Sequence, residues 1–186
     1  MRGDILFIHG WWVGGWIWSG VADQFAAAGL RTHIIDLPGP GTGSSGFDDH
    51  LSHAVRVARK IGNPILIGHS AGGLLAMKMC ETLTPPACIA ITPALPAGVV
   101  PRPDWLLLRF LATAMPSMLV GRSFFPRGLL PQLGIDRLSP MERETVLQRM
   151  EPISGAQVRS VLPGLVRVPP QHWSPRGSAS ARRRID

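Results

Sequence analysis

Ser70 stands at the centre of Gly68-His69-Ser70-Ala71-Gly72, directly after the apolar run Pro64-Ile65-Leu66-Ile67 and directly before Leu74-Leu75-Ala76-Met77-Lys78-Met79. A strand that reverses into a helix within about one residue forces its central Ser into a strained backbone conformation, and the flanking glycines let strand and helix cross closely. The hydroxyl is then lifted clear of the sheet edge, which predicts Ser70 as a nucleophile. The same turn puts the backbone N–H of Ala71 at a helix N-terminus, where partial positive charge stabilises an oxyanion.

One donor leaves a tetrahedral intermediate half stabilised, so a second must come from a loop after a neighbouring strand. Asp4-Ile5-Leu6-Phe7-Ile8 is a short apolar run that opens at once into His9-Gly10-Trp11-Trp12-Val13-Gly14-Gly15-Trp16. Gly10 permits the sharp turn and Trp11 offers its N–H. Losing one such donor costs about 3 kcal/mol in the transition state. Trp11 and Trp12 suit either an apolar acyl pocket or packing, whereas Trp16 and Trp18 read as core or loop anchors.

The elements that must position these groups are legible along the chain. Strands are expected at 4–9, 31–36, 64–69 and 87–92, and helices at about 18–29, 48–61 and 71–83. Runs such as Ile65-Leu66-Ile67 lack polar alternation, as parallel strands covered on both faces do. The alternation predicts an α/β fold with a mostly parallel, doubly wound sheet. In the 48–61 helix, Leu51, Ala54, Val55, Ala58 and Ile61 share a stripe, leaving Arg56, Arg59 and Lys60 on a solvated face. Beyond Thr92 the prolines 93, 96, 101 and 103 break the rhythm; helices are expected over 104–114 and 139–150, with no strand pattern between 97 and 162.

The chain resembles the α/β-hydrolase family, specifically its esterase-like serine hydrolases with a His-Gly loop. The resemblance rests on Phe7-Ile8-His9-Gly10-Trp11, Trp16 and Trp18, then Ile34-Ile35-Asp36-Leu37-Pro38-Gly39 with Gly41 and Ser44, then Ile67-Gly68-His69-Ser70-Ala71-Gly72-Gly73, and covers about residues 4 to 100. It implies Ser70 as nucleophile and the N–H groups of Trp11 and Ala71 as oxyanion hole, and it implies that His9 and His69 are not the base. It further implies residues 1–96 as the N-terminal half of the core and 97–162 as a helical cap, whereas a composition rich in Pro, Ser, Gly and Arg without apolar periodicity reads 163–186 as an irregular or disordered basic tail. In the cap, Trp105, Leu106, Leu107, Leu108, Phe110, Leu111 and Met115 either face a substrate tunnel or pack on the core, and Phe124-Phe125-Pro126 is a candidate closing loop.

In this fold the acid and then the His base follow the Ser on loops after later strands. Those strands are not legible here. His172 is the single histidine after Ser70 and so a candidate base by elimination, against which stands the lack of a strand behind it to hold it within the ~3 Å of proton transfer. Asp104, Asp136, Glu142, Glu144 and Glu151 also follow Ser70, but none follows a strand and none is nominated. Either the reading frame shifts near residue 165, or the chain is a shortened remnant. The expected function is hydrolysis of carboxylic esters or related acyl substrates, impaired by loss of the acid and the His. The alternative is a non-catalytic remnant that binds apolar small molecules or a protein partner.

A chain of 186 residues suits one domain, and a domain of that size buries roughly 70% of its unfolded surface. The net charge is +7, of which residues 167–186 carry +4 through five Arg and one Asp, so no specific nucleic-acid partner is expected. Cys80 and Cys88 read as free, buried thiols of a reducing compartment. No run reaches the ~18 apolar residues of a membrane span and no signal peptide precedes the first strand, so a cytoplasmic protein is expected. No phosphate loop or His/Cys cluster implies a cofactor or metal. A small apolar ester is the expected substrate, and the apolar edge strand at 87–91 invites self-association.

Overall fold

The structure, a computed structural model, describes residues 3–39, 46–99, 105–120, 123–124, 135–160 and 166–168. Four short apolar runs form one parallel sheet: β1 (Ile5–Ile8), β2 (Thr32–Ile35), β3 (Ile65–His69) and β4 (Cys88–Ile91), in the order β2-β1-β3-β4. Ile5 pairs with both Thr32 and Ile65, and Leu66 with Cys88. All four residues of β1 are buried, so the expected two-sided cover is present. One side is filled by α1 (Ser19–Ala27) and the Gly15–Trp18 turn before it, with Trp18 against Phe7 at 5.1 Å. On the other side, α2 (Phe47–Ile61) and α3 (Ala71–Met79) close the larger core around Leu6, Ile8, Leu66, Leu74 and Leu75.

The stripe expected on α2 is the one that packs: Ala54 and Ala58 are fully buried, Leu51, Val55 and Ile61 lie against the core, and Arg56, Arg59 and Lys60 are exposed. α3 crosses the sheet so closely that two glycines are obligatory. A Cβ on Gly72 would stand 2.5 Å from the Ile8 carbonyl oxygen, and one on Gly68 would stand 2.5 Å from the Gly72 carbonyl carbon. β2 and β4 are the two edges of the sheet among the described residues, and β4 leaves Ile89 and Ile91 exposed.

Past β4 the chain forms α4 (Trp105–Val120), α5 (Pro140–Arg149) and α6 (Gly155–Ser160). α5 starts where Ser139 accepts from the Glu142 N–H while the Glu142 carboxylate accepts from the Ser139 N–H, and Pro140 presets the first turn. The expectation of no strand between 97 and 162 fails in one place. β5 (Ser123–Phe124) and β6 (Ile153–Ser154) pair antiparallel, and strands of two residues are too short to leave an alternation in sequence.

Of the seven cap residues singled out, Phe110 packs as the second reading expects, the side chains of Leu106, Leu107 and Leu111 lie outside what is described, and both readings fail for the other three. Trp105, Leu108 and Met115 neither line a tunnel nor pack on the core: all three are exposed, while Phe110 and Ala114, on the opposite side, turn inward. Cys80 and Cys88 are free as expected, but Cys88 is only half-buried. Phe125, Pro126, Gly41, Ser44, Asp104, His172 and the tail from 169 onward lie outside the described residues.

Candidate active site

Ser70 sits between the last residue of β3 and the first of α3 with φ 54° and ψ −123°. That is a region L-residues avoid, at a cost of about 1–3 kcal/mol. Backbone bonds hold it there: its N–H donates to Ile91 O at 3.0 Å, and its carbonyl accepts from Leu74 N at 3.2 Å and Ala94 N at 3.0 Å. The residue as a whole is half-buried.

The loop after β1 lies directly against that side chain. A Cβ on Gly10 would stand 2.8 Å from Ser70 Cβ and 3.3 Å from its Oγ, so only glycine lets the loop approach. Trp11 is the next residue, and Ala71 opens α3. Among the described residues neither the Trp11 nor the Ala71 N–H donates to a protein acceptor. The Ala71 N–H stands at the positive end of α3, next in sequence to Ser70, and the Trp11 N–H follows the glycine that packs on its side chain.

His9 ties this loop to the one after β2. Its Nδ1–H donates to Gly10 O at 2.7 Å and its Nε2 accepts from the Leu37 N–H at 2.9 Å, so both ring nitrogens are engaged. Burial holds its pKa below the usual histidine value, consistent with a neutral, bracing imidazole. Asp36 supports the same junction by accepting from the Gly15 N–H at 2.6 Å. His69 is half-buried, and among the described residues its buried Nδ1 has no partner; burial also lowers its pKa.

The segment between α5 and α6 covers the loop from outside. The Arg149 guanidinium stacks 4.5 Å from the Trp16 ring centroid. The Glu151 N–H donates to Trp12 O at 2.9 Å. Ile153 packs with Trp11 and Trp12, and Phe110 of α4 meets Trp12 edge-on at 6.3 Å. Trp11 and Trp12 pack against this segment and also line the cavity beside Gly10, so packing and pocket lining occur together. Trp18 is a core anchor as expected, while Trp16 is a platform for Arg149.

Beside Gly10 opens a cavity of about 510 Å³, walled by the 10–16 loop, Leu37, Pro38, Arg149 and Glu151 and floored by His9, His50 and Gln157. Ser70 is not in its wall; Gly10 separates the two. His50 Nε2 lies 3.0 Å from Pro38 O and 3.4 Å from the Gln157 amide nitrogen, and burial lowers its pKa as well. The His50–Gln157 floor had no sequence signal, because its halves come from α2 and α6 and neither belongs to a local motif.

No histidine among the described residues is hydrogen-bonded to Ser70. Glu142 is occupied by Ser139, Glu144 accepts from Gln148 at 2.9 Å, and Glu151 faces the cavity. Among the described residues no cluster of three His, Cys, Asp or Glu side chains stands where it would hold a metal ion.

Residues 5–182 match the alpha/beta hydrolase family, and the chain belongs to it. The match continues well past residue 100, where the motif-based resemblance stopped. Among curated proteins the chain is 34% identical over 106 residues to a pimeloyl-[acyl-carrier protein] methyl ester esterase of Aeromonas salmonicida (strain A449), covering 55% of this chain and 41% of that protein. A second protein of the same name from Vibrio atlanticus (strain LGP32) is 32% identical over 78 residues, covering 41% and 30%. The chain thus spans less than half the length of these relatives in the matched region.

Among solved structures, an extracellular α/β-hydrolase from a Paenibacillus species superposes with a TM-score of 0.68 at 14% identity, over 87% of this chain and 71% of that one. A methylesterase from Arabidopsis gives 0.65 at 14% identity, over 91% and 73%. These likenesses establish the fold. The chain is an α/β hydrolase with esterase-like relatives, and no helix among the described residues is long and apolar enough to cross a membrane.

Proposed function

We propose that the chain is a serine hydrolase of carboxylic esters, with Ser70 as nucleophile and the N–H groups of Trp11 and Ala71 as the oxyanion hole. The observation that carries this reading is the strained Ser70 backbone with Gly10 packed against its side chain. Ser70 Oγ attacks the ester carbonyl carbon and gives its proton to a histidine. The carbonyl oxygen takes the negative charge between the two N–H groups, the alcohol leaves with the proton, and water then releases the acyl group. The candidate base is His172, the single histidine after Ser70; no acid is assigned to orient it, so turnover is expected to be impaired. The methyl esterase names of the curated relatives point to a small alkyl ester of an apolar acid as the substrate class. The segment from 97 to 162 is assigned as the cap, since its inner residues cover the Trp11–Trp12 loop. The free Cys80 and Cys88 support a reducing, cytoplasmic setting.

A fluorophosphonate probe tests the reading together with hydrolysis of a short methyl ester. Labelling of the wild type and not of Ser70→Ala establishes an activated serine, and its loss in His172→Ala assigns the base. Folded protein that takes up no label, while binding an apolar dye or fatty acid, is instead a non-catalytic binder. That second reading is favoured by one observation, the lack of a described histidine at Ser70.

A further inference from the structure

α4 has the composition of a buried helix and the exposure of a surface one. Its outward positions Trp105, Leu108, Ala112, Met115 and Leu119 recur every three or four residues and so form a single stripe, with Trp105 and Leu119 each 76% exposed. Phe110 and Ala114 turn the other way and pack on Trp12 and Val158. A stripe of large apolar side chains this long in open water marks an interaction surface.

Charge indicates what covers it. α4 contains no carboxylate, and exposed Arg109 flanks the stripe one step round the helix from Trp105. From Ala97 to Ile135 the sequence holds Arg102, Arg109, Arg122 and Arg127 against the single acid Asp104, in a chain whose net charge is +7. Apolar side chains along one line, a Trp at one end, the exposed Arg109 beside it and a basic surrounding sequence are the features by which a helix lies in the plane of an anionic lipid surface. The rings and aliphatic groups enter the acyl boundary while guanidinium groups meet phosphate. At 16 residues α4 is too short to span a bilayer.

We propose that the outer face of α4 docks on an anionic lipid surface, with the helix lying flat in the interface. The same helix packs its inner face on Trp12, so docking would set the candidate site close to the membrane plane. This inference does not depend on turnover.

The test is sedimentation of the full chain with phosphatidylcholine vesicles and with mixed phosphatidylcholine–phosphatidylglycerol vesicles, at low and at high salt. The wild type should bind the mixed vesicles, and part of that binding should survive high salt, because the inserted side chains are not screened. The variant Trp105→Ser/Leu108→Ser/Leu119→Ser changes only exposed positions, and its fold is checked by circular dichroism. It should lose the salt-resistant part by at least about tenfold. Arg109→Glu should weaken binding at low salt. Folded wild type that stays in the supernatant with both vesicles overturns the proposal. So does a triple variant that binds like wild type, which would assign binding to the arginine-rich C-terminal segment. A triple variant that abolishes self-association of a wild type without lipid affinity overturns it in favour of a second copy on this face.

Discussion

The backbone N–H of Glu151 donates to the carbonyl of Trp12 at 2.9 Å, fastening the segment after α5 to the loop that lies against Ser70. Trp12 is held at φ 63°, a left-handed conformation uncommon for a bulky residue. With Arg149 on Trp16 and Ile153 against Trp11 and Trp12, the loop is gripped along its length. The position of the Trp11 N–H thus depends on residues far away in sequence.

That grip should be visible in an Arg149→Ala variant. A cation–π contact of this kind is worth about 0.5–1 kcal/mol, too little to unfold the domain. The expected outcome is a near-normal melting temperature with faster amide exchange across residues 11–16. Unchanged exchange would show that Trp12, not Trp16, anchors the loop.

Replacement of Ser70 separates strain from chemistry. Ser70→Ala and Ser70→Gly should both lose fluorophosphonate labelling, yet differ in stability. Glycine accepts φ 54° and ψ −123° without the 1–3 kcal/mol penalty, against an added chain-entropy cost of about 0.5–1 kcal/mol. Ser70→Gly should therefore be more stable than Ser70→Ala by about 1 kcal/mol in urea unfolding. Equal midpoints would mean the surrounding bonds carry no strain.

Gly72→Ala should not fold. Its new methyl carbon would meet the Ile8 oxygen at 2.5 Å and the His9 carbonyl carbon at 2.8 Å, backbone on backbone, with no side chain free to move aside. A loss of about 3 kcal/mol, the upper end of the usual overpacking cost, is expected, read as expression in inclusion bodies or a collapsed thermal transition.

Acidification should destabilise the protein through buried histidines. His9, His50 and His69 all have folded pKa values below the usual 6.5 because burial disfavours their charged forms. Above that value both native and unfolded chains are neutral at these sites, and they add no slope. Below it the unfolded chain takes up protons first, so stability falls as pH drops. Unfolding followed by urea from pH 7.5 to 5 should show this, with a shallower slope for His50→Gln. A flat profile in the wild type would mean that these rings take up protons in the fold as readily as in the unfolded chain.

The sheet edge makes the remaining prediction. β4 pairs only with β3 among the described residues and leaves Ile89 and Ile91 about half exposed. The chain should self-associate in sedimentation, and Ile89→Lys/Ile91→Lys should reduce it. A clean wild-type monomer rules this out.

The strands, α2's buried stripe and the Ser70 turn were legible because each is a local pattern: unbroken apolar runs, a 3.6-residue period, and glycines where backbones cross. The grip on the Trp11–Trp12 loop was not, since Arg149, Glu151 and Ile153 carry no mark of their distant partners. α4 misled for a related reason. Its apolar stripe announced burial, whereas exposure is decided by which neighbours arrive, and hydropathy alone does not report that.

The first turn of α2 has a consequence for biosynthesis. The Phe47 N–H donates to Ser160 Oγ at 3.2 Å, although the two residues are 113 apart. Among the described residues the four strands of the main sheet lie within residues 5–91, so a ribosome has released all four well before Ser160 appears. The nascent chain must therefore carry α2 with an open N-terminal donor until the last described helix is made, and locking of that end is a late, post-sheet event in the protein's birth.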